Sequence, residues 1–306
     1  MPPERFDHFM ARANTAYYQH KPFGQDFVTA PELTQVFGEL LGGWAKVVWQ
    51  MMGAPEDIIL AEAGPGRGVL MADALRVWPM SNVHFIETST TLRAEQKSRV
   101  PHAHWHDSLE TLPNGPLILL ANEFLDALPV RQFIRREAGW MERFVEQQAY
   151  VEQPTDYDLP NDPIGCVREV NEAALDFCQK LAARKAIGLF IDYGPSTSAA
   201  GESVQAIRNG AYADPLLALG EADLTAHVDF AAIQRIVHAQ GPVKQNYFLT
   251  ALGLYQRSDK LAQHNPHKAL DLRASVQRLT APEAMGSLFK VLAVCPPSFA
   301  PLPGFE

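Results

Sequence analysis

The feature that most constrains this chain is the run Glu62-Ala63-Gly64-Pro65-Gly66-Arg67-Gly68, set directly after the apolar stretch Ile58-Ile59-Leu60-Ala61 and before a helical pattern through Leu70, Ala74 and Leu75. Apolar run, glycine cluster and helical period read in order as a strand, a turn and the start of a helix. Glycine reaches backbone conformations closed to other residues. Such a turn can therefore be sharp, let a ligand approach the main chain, and aim the first amides of the helix at it. A cofactor is expected on this loop.

Glycine spacing decides which one. Dinucleotide and kinase loops follow G-x-G-x-x-G, whose third glycine would fall at position 69, and that residue is Val69. What stands here is E-x-G-x-G-x-G, the loop of S-adenosylmethionine (SAM) methyltransferases, with an acid closing the preceding strand. The next strand candidate, Val83-His84-Phe85-Ile86, ends on Glu87, where a carboxylate can accept hydrogen bonds from ribose hydroxyls. SAM is the expected cofactor, and Glu62, Gly64, Pro65, Gly66, Gly68 and Glu87 are its expected contacts.

From residue 58 onward strands alternate with helices: strand 58–62, helix 68–77, strand 83–87, helix 90–98, then strands near 103–107 and 117–121. That rhythm means a parallel sheet with crossover helices, an α/β fold of the Rossmann-like class I methyltransferase kind. Ligands in such sheets bind beyond the carboxyl ends of the strands. The strand-end residues are Glu62, Glu87, Asp107, Asn122 with Glu123, and Asp192 with Tyr193; Asp107 is expected to meet the adenine amine.

Around this sheet, residues 29–52 read as one amphipathic helix with Thr29 and Glu32 as its capping box. The loop before it, 22–28, reads either as a plain connection or as a lid over the cofactor. Residues 131–150 carry a β-hairpin pattern, Glu169 to Arg184 a helix, and Ala186 to Ile191 a buried strand. Residues 194–227 lack strong periodicity and read as an inserted, substrate-facing segment. Leu288 to Val294 is the closing strand, and Pro296 to Phe305 reads as an extended tail with no recognition role. The expected organisation is a helical N-terminal segment and cofactor lid over 1–57, then the SAM-binding domain over 58–306 with insertions at about 131–185 and 194–240.

A formal charge of −9 argues against a general nucleic-acid binder and suits a basic protein substrate. The three cysteines, Cys166, Cys178 and Cys295, are widely separated, which fits buried thiols in a reducing compartment. The first residues lack an apolar signal core and carry acids early, so a cytoplasmic location is expected. No apolar run approaches membrane-spanning length, so no membrane insertion is expected. His102, His104 and His106 alternate and would share one face of a strand, yet no acidic or cysteine ligand neighbours them at metal-site spacing, and no metal is expected. A serine hydrolase has no support, because no G-x-S-x-G elbow is present.

The candidate chemical centre is Asn122-Glu123-Phe124-Leu125-Asp126-Ala127-Leu128-Pro129, which follows the apolar strand Leu117 to Leu120. Taken alone, Glu123 and Asp126 read as helix caps. In register with Glu62 and Glu87, Glu123 reads instead as a third strand-end acid, which sets Asn122 and Glu123 at the reactive end of a SAM-like ligand.

Together with the glycine loop and this centre, Gly24 to Glu32, Phe37-Gly38-Glu39, Ile191 to Gly194, Asp223 to Phe230 and Met285 to Lys290 resemble the MidA-type SAM-dependent methyltransferases, in order and over nearly the whole chain. The departures are small: Val69 where relatives commonly carry Thr, and Ala16 where a Gly often precedes the two tyrosines. The resemblance implies protein arginine methylation, since the eukaryotic members act in mitochondria as complex I assembly factors and symmetrically dimethylate an arginine of a complex I subunit. Guanidinium is protonated at any ordinary pH and its lone pairs are delocalised, so a carboxylate must orient it. Glu123 is expected in that role, with Asn122 positioning it or the amino-acid end of the cofactor. Two other readings stand beside this one: an assembly factor that holds SAM without turnover, and a methyltransferase acting on a small molecule.

Overall fold

The computed structural model describes residues 2–20, 24, 28–217 and 219–306. Its centre is a seven-stranded sheet of Ile59–Ala63 (β1), Val83–Ile86 (β2), His104–His106 (β3), Leu117–Asn122 (β4), Ile187–Tyr193 (β5), Ala239–Lys244 (β6) and Phe289–Val294 (β7). The strands lie in the order β6-β7-β5-β4-β1-β2-β3. β5, β4, β1, β2 and β3 pair in parallel, while β7 runs antiparallel between β5 and β6. The order reverses between β1 and β4, and a crevice opens there beyond the strand ends.

Because alternate residues of a strand face opposite sides, an uninterrupted apolar run is buried on both. Leu60, Ile118, Leu120 and Leu189 pack under helices Gln35–Met51 (α2) and Val69–Val77 (α3), and the same cluster takes in Phe248, Leu272 and Leu279. Ile59, Ala61, Leu117, Leu119 and Phe190 pack on the other face against Cys178 and Leu181 of Glu172–Ala183 and Ile233 of Phe230–Ile236. α2 and α3 approach closely because α2 presents Gly38 and Gly42: a Cβ on Gly42 would lie 2.5 Å from the Ala74 carbonyl oxygen.

Two further layers frame the crevice. Glu4–Arg5, Gly139–Glu146, Arg131–Arg136, Val167–Val170 and Ala149–Pro154 form a five-stranded antiparallel sheet. Gln205–Arg208, Ala211–Ala213 and Asp223–Thr225 form a three-stranded one. Helix Phe6–His20 (α1) joins them, burying Phe6, Phe9, Met10 and Ala13 against Val145, Ala206 and Leu224. Asn14 of α1 fastens the joint, donating to the Leu224 and Ala127 carbonyls at 2.8 and 2.9 Å and accepting from the Leu224 amide.

The single helix expected over 29–52 is two: a turn at Ala30–Leu33, then α2, with extended backbone at Thr34 between them. Thr34 is the residue that caps α2, through Val36 N, and Thr29 makes no side-chain cap. The expected capping box fails because Glu32 pairs instead with Arg67 in the glycine loop. The helix expected from Glu169 begins only at Glu172, since Val167–Val170 is taken up as a strand beside Arg131–Arg136. The C-terminal residues are not a free tail: Leu302 is fully buried, Trp44 donates to the Pro303 carbonyl at 3.1 Å, and Phe305 packs on Phe248. Most of the loop 22–28 lies outside the described residues. All three cysteines are free, Cys178 and Cys295 buried and Cys166 half-buried. Among the described residues no helix is long and apolar enough to cross a membrane.

Candidate active site

A cavity of about 810 Å³ lies over the ends of the parallel strands, between them and the layer built by α1 and the three-stranded sheet. Its floor is the glycine loop. Gly64, Gly66 and Gly68 have φ of 62°, 50° and 78°, a region that side-chain-bearing residues rarely enter. The loop is tied from two sides. Gln96 Nε2 donates to the Gly66 carbonyl at 2.7 Å, and Arg67 Nε donates to Glu32 Oε1 at 3.0 Å.

Glu62, next to last in β1, has 2% of its surface exposed and accepts from the Met71 amide in the first turn of α3. Its Oε2 is buried without a partner, and burial pushes the carboxyl up to about 8. One strand over, Glu87 accepts from the Ser89 amide at 2.7 Å and from Gln96 Nε2 at 3.2 Å, with burial again raising its pKa. Asp107 lies at the rim with its side chain 79% exposed, and takes an ion pair from Arg93, which also donates to the Glu87 carbonyl.

The other end of the cavity is acidic. The Glu123 amide donates to Ile191 O at 2.9 Å, and Glu123 itself stands at φ 51°, a left-handed turn that costs a non-glycine residue roughly 1–2 kcal/mol. Its Oε1 accepts from Asn122 Nδ2 at 3.0 Å and from the Ala30 amide at 3.3 Å. Burial, reinforced by Asp126, pushes Glu123 up to about 8. Asp192 is the pin beneath: its Oδ2 accepts from the amides of Phe124, Leu125 and Asp126, and its Oδ1 from that of Tyr193. Burial and the neighbouring Asp126 raise Asp192, while those amides favour its charged form. Asp126 is raised to about 6 by burial, against a hydrogen bond from the Tyr193 side chain. Across the cavity, Tyr18 of α1 donates to Asp223 Oδ1 at 2.6 Å.

Every expected contact, Glu62, Gly64, Pro65, Gly66, Glu87, Asp107, Asn122 and Glu123, lines this cavity except Gly68, which stands directly before α3. Sequence reasoning gave no site role to Tyr18, Gln96, Asp223 or Thr225, although the resemblance took in Asp223 to Phe230, because nothing local marks a residue whose partner lies far along the chain. Gln96 is fully buried in the structure, yet in the polar run of its helix, Thr90–Arg99, it looks like any surface residue. The histidines form a small stack of their own: His84 Nδ1 lies 2.8 Å from His106 Nε2, and His84 stacks on His104. Among the described residues no cluster of three or more His, Cys, Asp or Glu is arranged to hold a metal ion.

The donor set fits SAM. Two buried acceptors with no partner, Glu62 Oε2 and Asn122 Oδ1, belong to cavity-lining residues, and they suit a ligand that brings an ammonium group. A sheet in this order, with an antiparallel seventh strand and an acid-flanked glycine loop at its switch point, defines a SAM-dependent methyltransferase of class I type.

The chain belongs to a family described as putative S-adenosyl-L-methionine-dependent methyltransferases, whose profile matches residues 40–248. A Drosophila melanogaster protein named protein arginine methyltransferase NDUFAF7 homolog, mitochondrial, is 30% identical over 94% of this chain and 79% of its own length. The Danio rerio protein arginine methyltransferase NDUFAF7, mitochondrial, is 32% identical over 89% of this chain and 76% of its own. A crystal structure from Burkholderia thailandensis, bound to S-adenosyl-homocysteine, superposes with a TM-score of 0.88 at 25% identity, covering 99% of this chain and 90% of that one. The cytoplasmic location expected from the first residues is corrected by these relatives, which are named as mitochondrial.

Proposed function

We propose that this methyltransferase acts on an arginine side chain of a protein, with Glu123 as the carboxylate that orients the guanidinium. One observation carries the reading: Glu123 is held at the end of β4 by Asn122 and the Ala30 amide, inside the cavity that the glycine loop floors. The relatives named protein arginine methyltransferases support it. Glu87 would hold the ribose hydroxyls, Asp107 the adenine edge, and Glu62 and Asn122 the amino-acid end. The symmetric dimethylation of a respiratory-complex subunit, implied by the family resemblance, is the finer form of the same proposal.

SAM, when bound, supplies an electrophilic methyl group on a sulfonium. The chain's task is to present one guanidinium nitrogen in line with it and to keep water out. Glu123 does the first by drawing the acceptor's charge toward the nitrogens that do not react. The segment Thr29 to Glu32, tied to the loop through Arg67 and to Glu123 through Ala30, helps with the second by lining the cavity.

The test uses labelled SAM and lysate from a strain lacking the protein, followed by identification of the labelled residue. Methyl-arginine is the expected product. Glu123→Gln should leave SAM affinity unchanged and lower kcat by about 10²- to 10³-fold, the cost of losing one group that stabilises transition-state charge. Label on another residue type, on a metabolite, or on nothing at all would reject the arginine assignment.

A further inference from the structure

Glu123 is not the only carboxylate that this cavity leaves waiting for a cation. Asp126 lines the same space with 4% of its surface exposed, and its Oδ1 is buried with no hydrogen-bond partner. A buried acceptor without a partner costs free energy, and structures rarely keep one unless a ligand completes it. The protein offers no completion of its own: among the described residues no lysine or arginine pairs with Glu123 or Asp126. The cavity's other cations are already engaged, Arg67 with Glu32 and Lys180 with Glu110 and Asp176. Several elements hold Asp126 rigidly. Its amide is fixed by Asp192, its carbonyl by the Ala226 amide at 2.9 Å, and its carboxylate by the Tyr193 hydroxyl. Tyr193 is itself wedged between His227 and Phe289. Such bracing suits a group that must meet a planar ligand at a set angle.

We propose that Asp126 is a second acceptor-binding residue, whose Oδ1 takes a hydrogen bond from the same guanidinium that Glu123 orients, so that two carboxylates select a planar cation. This rests on the arginine reading above. Asp126 makes Glu123 harder to charge, and a cation shared between the two carboxylates offsets that cost. A neutral amide or a hydroxyl acceptor gives neither relief, so the pair excludes them.

The probes are N-butylguanidinium and its neutral isostere N-butylurea, titrated into the full chain saturated with S-adenosyl-homocysteine. Wild type should prefer the guanidinium by about 100-fold, and Asp126→Asn should keep only about tenfold of that, in line with one lost hydrogen bond to a charged group. Affinity for S-adenosyl-homocysteine should stay as it was in the variant, which also reports that the fold is intact. Should Asp126→Asn not fold, Tyr193→Phe serves in its place: it frees the Asp126 carboxylate to rotate and should lower the preference severalfold. Undiminished guanidinium preference in a folded Asp126→Asn protein overturns the role of Asp126 while leaving arginine methylation standing. Weaker S-adenosyl-homocysteine binding with the preference intact would make Asp126 a cofactor contact instead. No preference in wild type overturns the two-carboxylate site altogether, whereas a methylated residue other than arginine in the lysate experiment tells separately against the arginine reading.

Discussion

Glu62, Glu87 and Glu123 end neighbouring strands of one sheet, yet each is held differently. Glu62 accepts from a helix amide and keeps one oxygen bare, Glu87 is bracketed by Ser89 and Gln96, and Glu123 leans on Asn122 and Ala30. Removing the Glu87 carboxylate should weaken SAM binding by about 1.5–3 kcal/mol, the range for hydrogen bonds to a charged group. Calorimetry on Glu87→Ala checks it, and unaltered affinity would leave Glu87 as a brace for Ser89 and Gln96 alone. At Gly66, with φ at 50°, a branched side chain is strained wherever it points, so Gly66→Val should abolish SAM binding. A folded Gly66→Val protein that binds SAM normally would contradict this. These residues were legible because a strand-end acid is marked by the apolar run before it. Tyr18 and Asp223 were not, since they meet only when α1 and the three-stranded sheet close over the cavity.

At the level of elements, the α2–α3 crossing depends on two missing side chains. Gly38 and Gly42 lie one turn apart on α2, and a Cβ on either would enter the backbone of α3. Gly42→Leu should therefore destabilise the protein by about 1–3 kcal/mol, as overpacking does, and loosen the glycine loop that leads into α3. A lower urea midpoint together with weaker SAM binding is the expected pair of results; an unchanged midpoint would mean that the helices separate at no cost. Most sheet strands could be read from sequence because each is a short apolar run bounded by turn residues; β6, Ala239–Lys244, was missed because its half-buried residues and its Gly241-Pro242 make no such run. Boundaries that depend on partners could not be read that way. Glu169 and Val170 look helical until Arg131–Arg136 offers them a ladder, and Thr29 looks like a cap until Arg67 claims Glu32. The inserted segment showed no period because its three strands hold only three or four residues each.

Across the whole molecule, the buried acids make stability depend on pH. Glu62 is raised from 4.5 to about 8 by burial, so the fold favours its neutral form. That contribution is fully present below the unfolded value and is lost as pH rises through about 8. Melting temperature without cofactor should therefore fall more steeply from about pH 5 to about pH 9 in wild type than in Glu62→Gln, which stays neutral throughout. Bound SAM should flatten the wild-type curve by pairing with the ionised carboxylate. Parallel curves for the two proteins without cofactor would remove Glu62 from the account.

The place of β7 bears on how this molecule comes into being. It is the last of the seven strands to leave the ribosome, yet it sits inside the sheet, antiparallel between β5 and β6. Until Phe289–Val294 has been made, β5 keeps an unpaired edge and β6 has no neighbour in the sheet. A nascent chain of this kind carries an open, apolar, aggregation-prone edge from the moment β5 has emerged until β7 follows it, and it completes its sheet only then.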